Sequence, residues 1–337
     1  MTATMDKDFL AYRVTKTESG GFERSIQKRQ ISELPDGDVI IRVHYSGLNY
    51  KDALSAFGRP GVTREYPHTP GIDACGIVEE SCSDEFSPGD EVLVTSYDLG
   101  MDTDGGFGQY IRVPSDWVIP LPEGMNLRES MVAGTPGLTA AQGIMNLLEA
   151  GQKPEDGPII VSGARGAVGS FAVSLLAGLG FEVIAAVSKL GNDTEALLDT
   201  GAAQVIDSEI SDDKSGRALI RTRWAGGFDT IGDNTLATIL KATSFGGNVV
   251  CVGNIQSGDL HTTVFPFILR GIKLIGVATQ ETPMTVRRKL WKLLAGDWKN
   301  DKTEIFTREI GLDELDSSLN TMIRKTSRGR VLLNLWK

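Results

Sequence analysis

Ile159-Ile160-Val161-Ser162-Gly163-Ala164-Arg165-Gly166-Ala167-Val168-Gly169-Ser170 is the stretch whose reading decides the fold. Its first three residues are apolar and β-branched. A glycine then interrupts the run, and the chain continues into Phe171-Ala172-Val173-Ser174-Leu175-Leu176, which has the texture of a helix. Strand, glycine turn and helix in succession make the geometry of a dinucleotide site. A side chain at the turn would hold a pyrophosphate off the backbone N–H groups and off the helix N-terminus. The spacing is G-x-x-G-x-x-G rather than the more familiar G-x-G-x-x-G, so the motif needs support from its surroundings.

That support lies downstream. Runs of strand character recur at 158–162, 182–187, 203–206, 228–231, 248–252 and 273–277, with helical stretches such as 194–200 and 235–242 between them. Six strands in this rhythm describe a doubly wound parallel sheet. A helix beginning at Thr135 leads into it. Upstream, 38–44, 71–79, 89–94 and 107–113 read as short strands punctuated by Gly and Pro, which suits a small barrel or folded sheet. After Ala278 come an amphipathic helix over 283–294 with Trp291 on its apolar side, a helix near 312–323 and a strand over 330–335. This tail is too short for a domain of its own. The expected architecture is therefore α/β: a β-rich catalytic domain over 1–129 completed by 279–337, and a Rossmann cofactor domain over 130–278.

At 337 residues with 41% apolar content, the chain has ample material for two folded domains. A net charge of -10 argues against a broad nucleic-acid surface. The three cysteines, Cys75, Cys82 and Cys251, form no C-x-x-C and no complete disulfide framework, which suits a reduced, cytoplasmic setting. The first residues lack the apolar core of a signal peptide, and no run approaches the ~18 apolar residues of a membrane helix.

The residue that reads the adenosine ribose stands about 20 positions beyond the glycine motif, at the end of the second strand. Here that position holds Ser188 and Lys189, where an Asp or Glu would signal NAD. A hydroxyl and a cation suit a 2′-phosphate, so NADPH is the expected cofactor; a solvated Lys189 is the alternative, and Asp193, displaced by several residues, would restore the acidic pattern only in part by reaching back. Arg165 inside the glycine motif either pairs with a phosphate or points to solvent. Asn254, after the fifth strand, is placed to approach the nicotinamide side. Cys75 with His68 and Asp73 is the one cluster that invites a metal reading, but Cys75 lies inside a strand, where a small buried thiol is the usual explanation. No metal site is expected, and neither a G-x-S-x-G elbow nor a P-loop is present.

With these residues in view, the chain resembles the zinc-independent medium-chain dehydrogenase/reductases across nearly its full length. Ser46-Gly47-Leu48-Asn49-Tyr50-Lys51-Asp52-Ala53 looks like their S-x-L-N-Y-K-D-A motif. Pro70-Gly71-Ile72-Asp73, Asp116-Trp117, Gly134-Thr135-Pro136-Gly137-Leu138-Thr139-Ala140, Gly163 to Ser170, Pro266-Phe267-Ile268-Leu269-Arg270-Gly271 and Gly329-Arg330-Val331 follow in matching order. The set is similar to the acrylyl-CoA reductase and quinone oxidoreductase branch. The resemblance implies a GroES-like N-terminal domain and NADPH-dependent reduction of an activated C=C bond, acryloyl-CoA being the substrate of its best-defined members. It carries cofactor contacts onto Tyr50, the turn residues Gly163, Arg165, Gly166, Ala167, Val168 and Gly169, then Ser188, Lys189, Ser208, Asn254, Ile268, Thr279 and Lys325. Four positions depart from the branch: Lys189 stands where it has a small residue, Leu190 where it has Arg, Ser208 where it has a basic group, and Lys325 where it has an amide.

Hydride addition to the β-carbon leaves negative charge on the substrate's carbonyl oxygen, and Tyr50, Asn49 or Arg330 are candidate donors to it. Asp52 would orient the Tyr50 loop, while helix capping is the alternative for Asn49 and Asp52. Arg59, Arg64 and Arg270 are candidates for a cationic rim if the substrate carries CoA. The substrate is thus an enoyl thioester, an enone or a quinone, with no nucleic-acid or membrane partner. The apolar outer strands at 248–252 and 273–277 suggest a homodimer built edge to edge.

Overall fold

The computed structural model describes residues 7–191 and 194–337. They fall into two compact units. The first holds the chain up to Thr135, then Gln280–Ala295 and Thr307–Lys337; the second holds Pro136–Thr279 and Gly296–Phe306. The expected borders at 129/130 and 278/279 thus move by a few residues, and one segment changes sides. Thr135 stays with the first unit because its N–H and hydroxyl bond Asp73. Gly296–Phe306 joins the second, where Asn300 Nδ2 donates to the carbonyl of Ser174.

In the first unit, β1 (Asp8–Lys16) and β2 (Phe22–Gln30) pair as an antiparallel hairpin. The main sheet takes β3 (Val39–Gly47), β4 (Asp73–Ser81), β5 (Glu91–Thr95), β6 (Tyr110–Val113) and β7 (Ile119–Pro120), with helix α1 (Tyr50–Ala56) between β3 and β4. Helix α2 (Leu127–Glu149) follows, its residues from Pro136 belonging to the second unit; it is broken at Gly134, whose φ of 48° and ψ of -151° lie outside helical space. The late elements α7 (Met284–Ala295), β14 (Thr307–Ile310), α8 (Leu315–Ile323) and β15 (Arg330–Asn334) return to this unit. Sheet order is β14-β15-β3-β4-β5-β7, with β6 also pairing β3. Alternate residues of β3, β4 and β5 (Ile41, Val43, Ala74, Val92, Val94) bury one face together with Leu315 and Leu319 of α8. Trp291 of α7 is fully buried, as its place on the apolar side of that helix requires.

The second unit has strands β8 (Ile159–Ser162), β9 (Val183–Val187), β10 (Gln204–Asp207), β11 (Gly226–Asp229), β12 (Asn248–Cys251) and β13 (Lys273–Gly276). Helices α3 (Ala167–Gly178), α4 (Thr194–Asp199), α5 (Asp233–Ala242) and α6 (Phe265–Arg270) lie between them. All pairings are parallel, in the order β10-β9-β8-β11-β12-β13. The order reverses between β8 and β11. In an open α/β sheet, ligands bind at such a reversal, outside the carboxyl ends of the strands. Among the described residues no helix is long and apolar enough to cross a membrane.

Candidate functional sites

The cradle at the reversal point is built from three glycines with distinct jobs. Gly163 closes β8 at φ 61°, and a Cβ there would sit 2.2 Å from Thr230 Oγ1. Gly166 caps α3, whose first residue is Ala167. Gly169 faces back onto the strand end, where a Cβ would meet the Gly163 carbonyl oxygen at 2.3 Å. Any side chain at 163 or 169 would push the helix away from the strand. With glycine at both, the first N–H groups of a twelve-residue helix stand open above the turn, a fit for a pyrophosphate.

A buried acid holds the cradle from beneath. Ser162 Oγ donates to Asp229 Oδ1 at 2.6 Å and accepts from the Thr230 N–H, and the Gly232 N–H donates to Asp229 Oδ2 at 2.8 Å. Burial pushes the Asp229 carboxyl up to about 6 against the pull of these bonds. The ends of β8 and β11 are thereby locked side by side. Nothing in the local sequence pattern singled out Asp229, beyond its being an acid at the end of an apolar strand.

Around this point the strand ends carry most of the expected cofactor residues. Ser188 and Lys189 are exposed just beyond β9, Ser208 opens the turn after β10, and Asn254 is exposed beyond β12. Thr279 lies beyond β13, within 3.1 Å of the Thr139 hydroxyl. Ile268 departs from this set: it lies on α6, between strands, and is 67% exposed. Asp193 lies outside the described residues. Arg165 turns along the strand ends, where its Nη1 donates to the Lys189 carbonyl at 2.6 Å. Arg270 is not a rim cation. Its guanidinium is bonded to the carbonyls of Ile220, Lys241 and Thr243.

In the first unit the structure brings Asn49, Asp52 and Arg330 together around Asp73. Arg330 Nη2 lies 2.7 Å from Asp73 Oδ2, and the two side chains are 2% and 0% exposed. The other donors of Arg330 reach the Met131 carbonyl, the Leu48 carbonyl and Asn49 Oδ1. Asp73 also accepts from the Thr135 N–H and hydroxyl and from Asn49 Nδ2. Two glycines clear the space: a Cβ on Gly47 would lie 1.6 Å from Arg330 Nη2, and one on Gly134 2.1 Å from it.

This geometry corrects two expectations. Arg330 spends every N–H on the protein interior, so it is not a donor to a substrate carbonyl. Asn49 gives both amide hydrogens, to Gly47 and to Asp73, and accepts from Arg330 with its oxygen. Both are scaffold. Asp52 is scaffold as well: its carboxylate caps the Asn49 N–H at 2.7 Å and takes the Ile72 N–H at 2.9 Å. Burial first, and then the charge of Asp73, push the Asp52 carboxyl up to about 7.

What this scaffold presents is the first turn of α1. Tyr50, at its start, is half-buried, and Lys51 Nζ donates to Gln280 Oε1 at 2.6 Å. Burial lowers the Lys51 pKa. Lys325 is exposed, with a left-handed φ of 58°. Arg64 is paired with Asp102 and Arg59 is exposed. Trp117 stacks on Tyr97 with ring centroids 5.6 Å apart, and Arg287 lies 4.4 Å from the Tyr97 ring.

A parallel sheet with a glycine cradle at its reversal point, joined in one chain to an antiparallel β unit, defines a dinucleotide-binding dehydrogenase or reductase. Comparison with known proteins narrows this. The family model for the alcohol dehydrogenase GroES-like domain matches residues 35–123, and that for the zinc-binding dehydrogenase matches 167–296. YhfP of Bacillus subtilis, named provisionally as a quinone oxidoreductase, is 39% identical, covering 96% of this chain and 99% of its own. The acrylyl-CoA reductase AcuI of Ruegeria pomeroyi is 37% identical, covering 94% and 96%. Of solved structures, Bacillus subtilis YhfP with NAD bound matches at TM-score 0.94 and 38% identity, covering 98% and 100%. The YhdH oxidoreductase of Salmonella enterica with NADP matches at 0.92 and 37%, covering 97% and 99%. The chain belongs to the medium-chain dehydrogenase/reductase family, in the branch of the acrylyl-CoA reductases and their quinone oxidoreductase relatives.

Zinc, which the second family model names, does not fit these residues. Burial pushes the Cys75 thiol up to about 12, and the thiol donates to the Leu127 carbonyl at 3.0 Å. Asp73 is committed to Arg330, and among the described residues no cluster of three or more His, Cys, Asp or Glu could hold a metal.

Proposed function

We propose that the protein is an NADPH-dependent reductase of activated C=C bonds, with acryloyl-CoA reduced to propanoyl-CoA as its reaction. The observation that carries this reading is the combination of the Gly163–Gly169 cradle with a hydroxyl and a cation, rather than an acid, at the end of β9. NADPH, when bound, supplies the hydride for the substrate's β-carbon. The backbone N–H groups of the turn from Gly163 to Gly169 hold its pyrophosphate, Ser188 and Lys189 lie at its 2′-phosphate, and Ser208, Asn254, Thr279, Lys325 and Tyr50 make the remaining contacts.

Of the side chains weighed as donors, Asn49 and Arg330 are occupied, which leaves the Tyr50 hydroxyl to stabilise negative charge on the substrate's carbonyl oxygen. Asp52 and Asn49 hold the turn that carries it. Lys51, with its lowered pKa, is suited to deliver the proton that the α-carbon requires.

Incubation of the purified protein with NADPH or NADH against acryloyl-CoA, a quinone and a simple enone tests the reading. NADPH consumption with acryloyl-CoA is the expected result. Turnover of the quinone alone would replace it with the second reading, a quinone or alkenal reductase, which the name of YhfP favours. Binding without turnover on any substrate would mean a non-catalytic NADPH-binding protein.

The protein acts as a homodimer in the cytoplasm. Three free cysteines support the reducing compartment. Support for the dimer comes from β13, an edge strand with Leu274 exposed, and from Phe265, Ile268 and Leu269 on neighbouring α6, all exposed. Pairing β13 with its copy would cover this edge. Light scattering on an Ile275→Lys variant should report a monomer where the wild type reports a dimer; a monomeric wild type would end the proposal.

A further inference from the structure

The relatives do not decide which dinucleotide this chain prefers, since one of them holds NAD and another NADP. The choice rests on this chain's own residues at the end of β9. We propose that Arg165, a residue of the glycine turn, is the side chain that selects the 2′-phosphate. The inference rests on the reading of the cradle as a dinucleotide site and adds the source of its specificity.

Four observations carry it. First, β8 and β9 are neighbours in register, Ser162 opposite Ala186, so a long side chain from the turn after β8 can reach the end of β9. Second, Arg165 makes that reach: its Nη1 donates to the Lys189 carbonyl at 2.6 Å, and its Nη2 lies 3.7 Å from where a Cβ on Gly191 would be. The guanidinium therefore stands at the ribose-reading position of the sheet rather than over the N-terminus of α3. Third, the four residues there, Ser188, Lys189, Leu190 and Gly191, are all exposed and include no acid that would take a ribose 2′-hydroxyl or repel a phosphate. Fourth, the loop itself places no arginine at this point, only Lys189.

A planar guanidinium can bind phosphate through two parallel N–H bonds, whereas an ammonium acts as a point charge. Arg165 thus acts on the site twice. It pins the Ser188–Lys189 main chain through the Lys189 carbonyl, and it brings a second cation beside Lys189.

Equilibrium binding tests this without turnover. Dissociation constants for NADPH, NADH, 2′,5′-ADP and 5′-AMP are measured by calorimetry on the wild type and on Arg165→Met, Arg165→Lys and Lys189→Met, with melting temperatures as a folding control. Arg165→Met is expected to weaken NADPH and 2′,5′-ADP by about ten- to a hundredfold, as befits loss of a charge-assisted pair, while NADH and 5′-AMP change less than about threefold. Arg165→Lys should fall between, and Lys189→Met should have the smaller effect. Equal weakening of NADPH and NADH would place Arg165 on the pyrophosphate or in loop support alone and overturn the inference. An unchanged NADPH/NADH ratio would do the same. A wild type that binds neither dinucleotide would overturn the proposed function together with this inference, whereas an intact NADPH preference in Arg165→Met overturns the inference alone.

Discussion

Replacing Arg330 with Met is the sharpest trial of the Asp73 cluster. The methionine keeps an unbranched apolar stem but removes every N–H, leaving the Leu48 and Met131 carbonyls and Asn49 Oδ1 without this donor. Asp73 keeps Thr135 and Asn49 but loses the Arg330 guanidinium as ion-pair partner, in a site where the two side chains are 0% and 2% exposed. Breaking a buried pair from one side costs about 3–5 kcal/mol. For a unit of this size, about 2–4 °C of melting temperature goes with each kcal/mol, so a fall of roughly 6–20 °C is expected. The assay is thermal unfolding followed by circular dichroism, with hydrogen exchange to identify which unit opens, because a chain of two units need not unfold in one step. Protection should be lost first in β3, β4 and β15, with the parallel sheet unaffected. The double variant Asp73→Leu/Arg330→Met should be less damaged than the single variants added together, since no charge is left stranded. The reasoning fails if Arg330→Met melts within about 2 °C of wild type. If turnover then fell by a hundredfold or more, Arg330 would be facing the substrate after all.

Other consequences can be checked singly. Gly163→Val puts a side chain where a Cβ already lies 2.2 Å from Thr230 Oγ1; NADPH affinity should fall at least about a hundredfold in a fluorescence titration, and retained binding would disprove the cradle. Tyr50→Phe should lower kcat by about 10²–10³, well beyond any weakening of NADPH binding, whereas an unaltered kcat would remove Tyr50 as the donor. Asp52 offers a pH signature. Its folded pKa, near 7, is raised above the unfolded value, so its contribution to stability is complete below about pH 4 and disappears as pH climbs through 7. Asp52→Asn should remove a slope of up to about 1.4 kcal/mol per pH unit across that window. Parallel stability–pH curves for variant and wild type would contradict the raised pKa.

The strands of the parallel sheet were legible in the sequence to within a residue or two at most ends, because they are short apolar runs separated by turn chemistry, while their order came from the structure. The first unit was legible only as texture. The exposed pattern of β2, Phe-Glu-Arg-Ser-Ile-Gln-Lys-Arg-Gln, carries no alternation to mark it, and the placing of β15 between β14 and β3 depends on contacts that no local pattern encodes. Arg330 was read as a catalytic donor for the same reason: its partner is 257 residues away. A signal was nonetheless present. Asp73 is the acid that opens the buried run Asp73–Gly76, and Arg330 is the cation that opens the buried run Arg330–Leu333. Two charges that cannot be buried singly should be suspected of being buried together. Gly47 and Gly134 gave no hint of their purpose until the guanidinium between them was seen.

The span between Asp73 and Arg330 also has a meaning in time. During synthesis, at about 5–20 residues per second, Asp73 is made roughly 13–50 s before the arginine that neutralises it. Every strand of the parallel sheet emerges within that interval, so the second unit can be folded while the first still waits for its last strand. The first unit therefore closes last, and its closure certifies that the chain has been read through to residue 330. A ribosome-released fragment ending at Gly329 should show a protease-resistant second unit beside a digestible first one; equal resistance of both would refute this order.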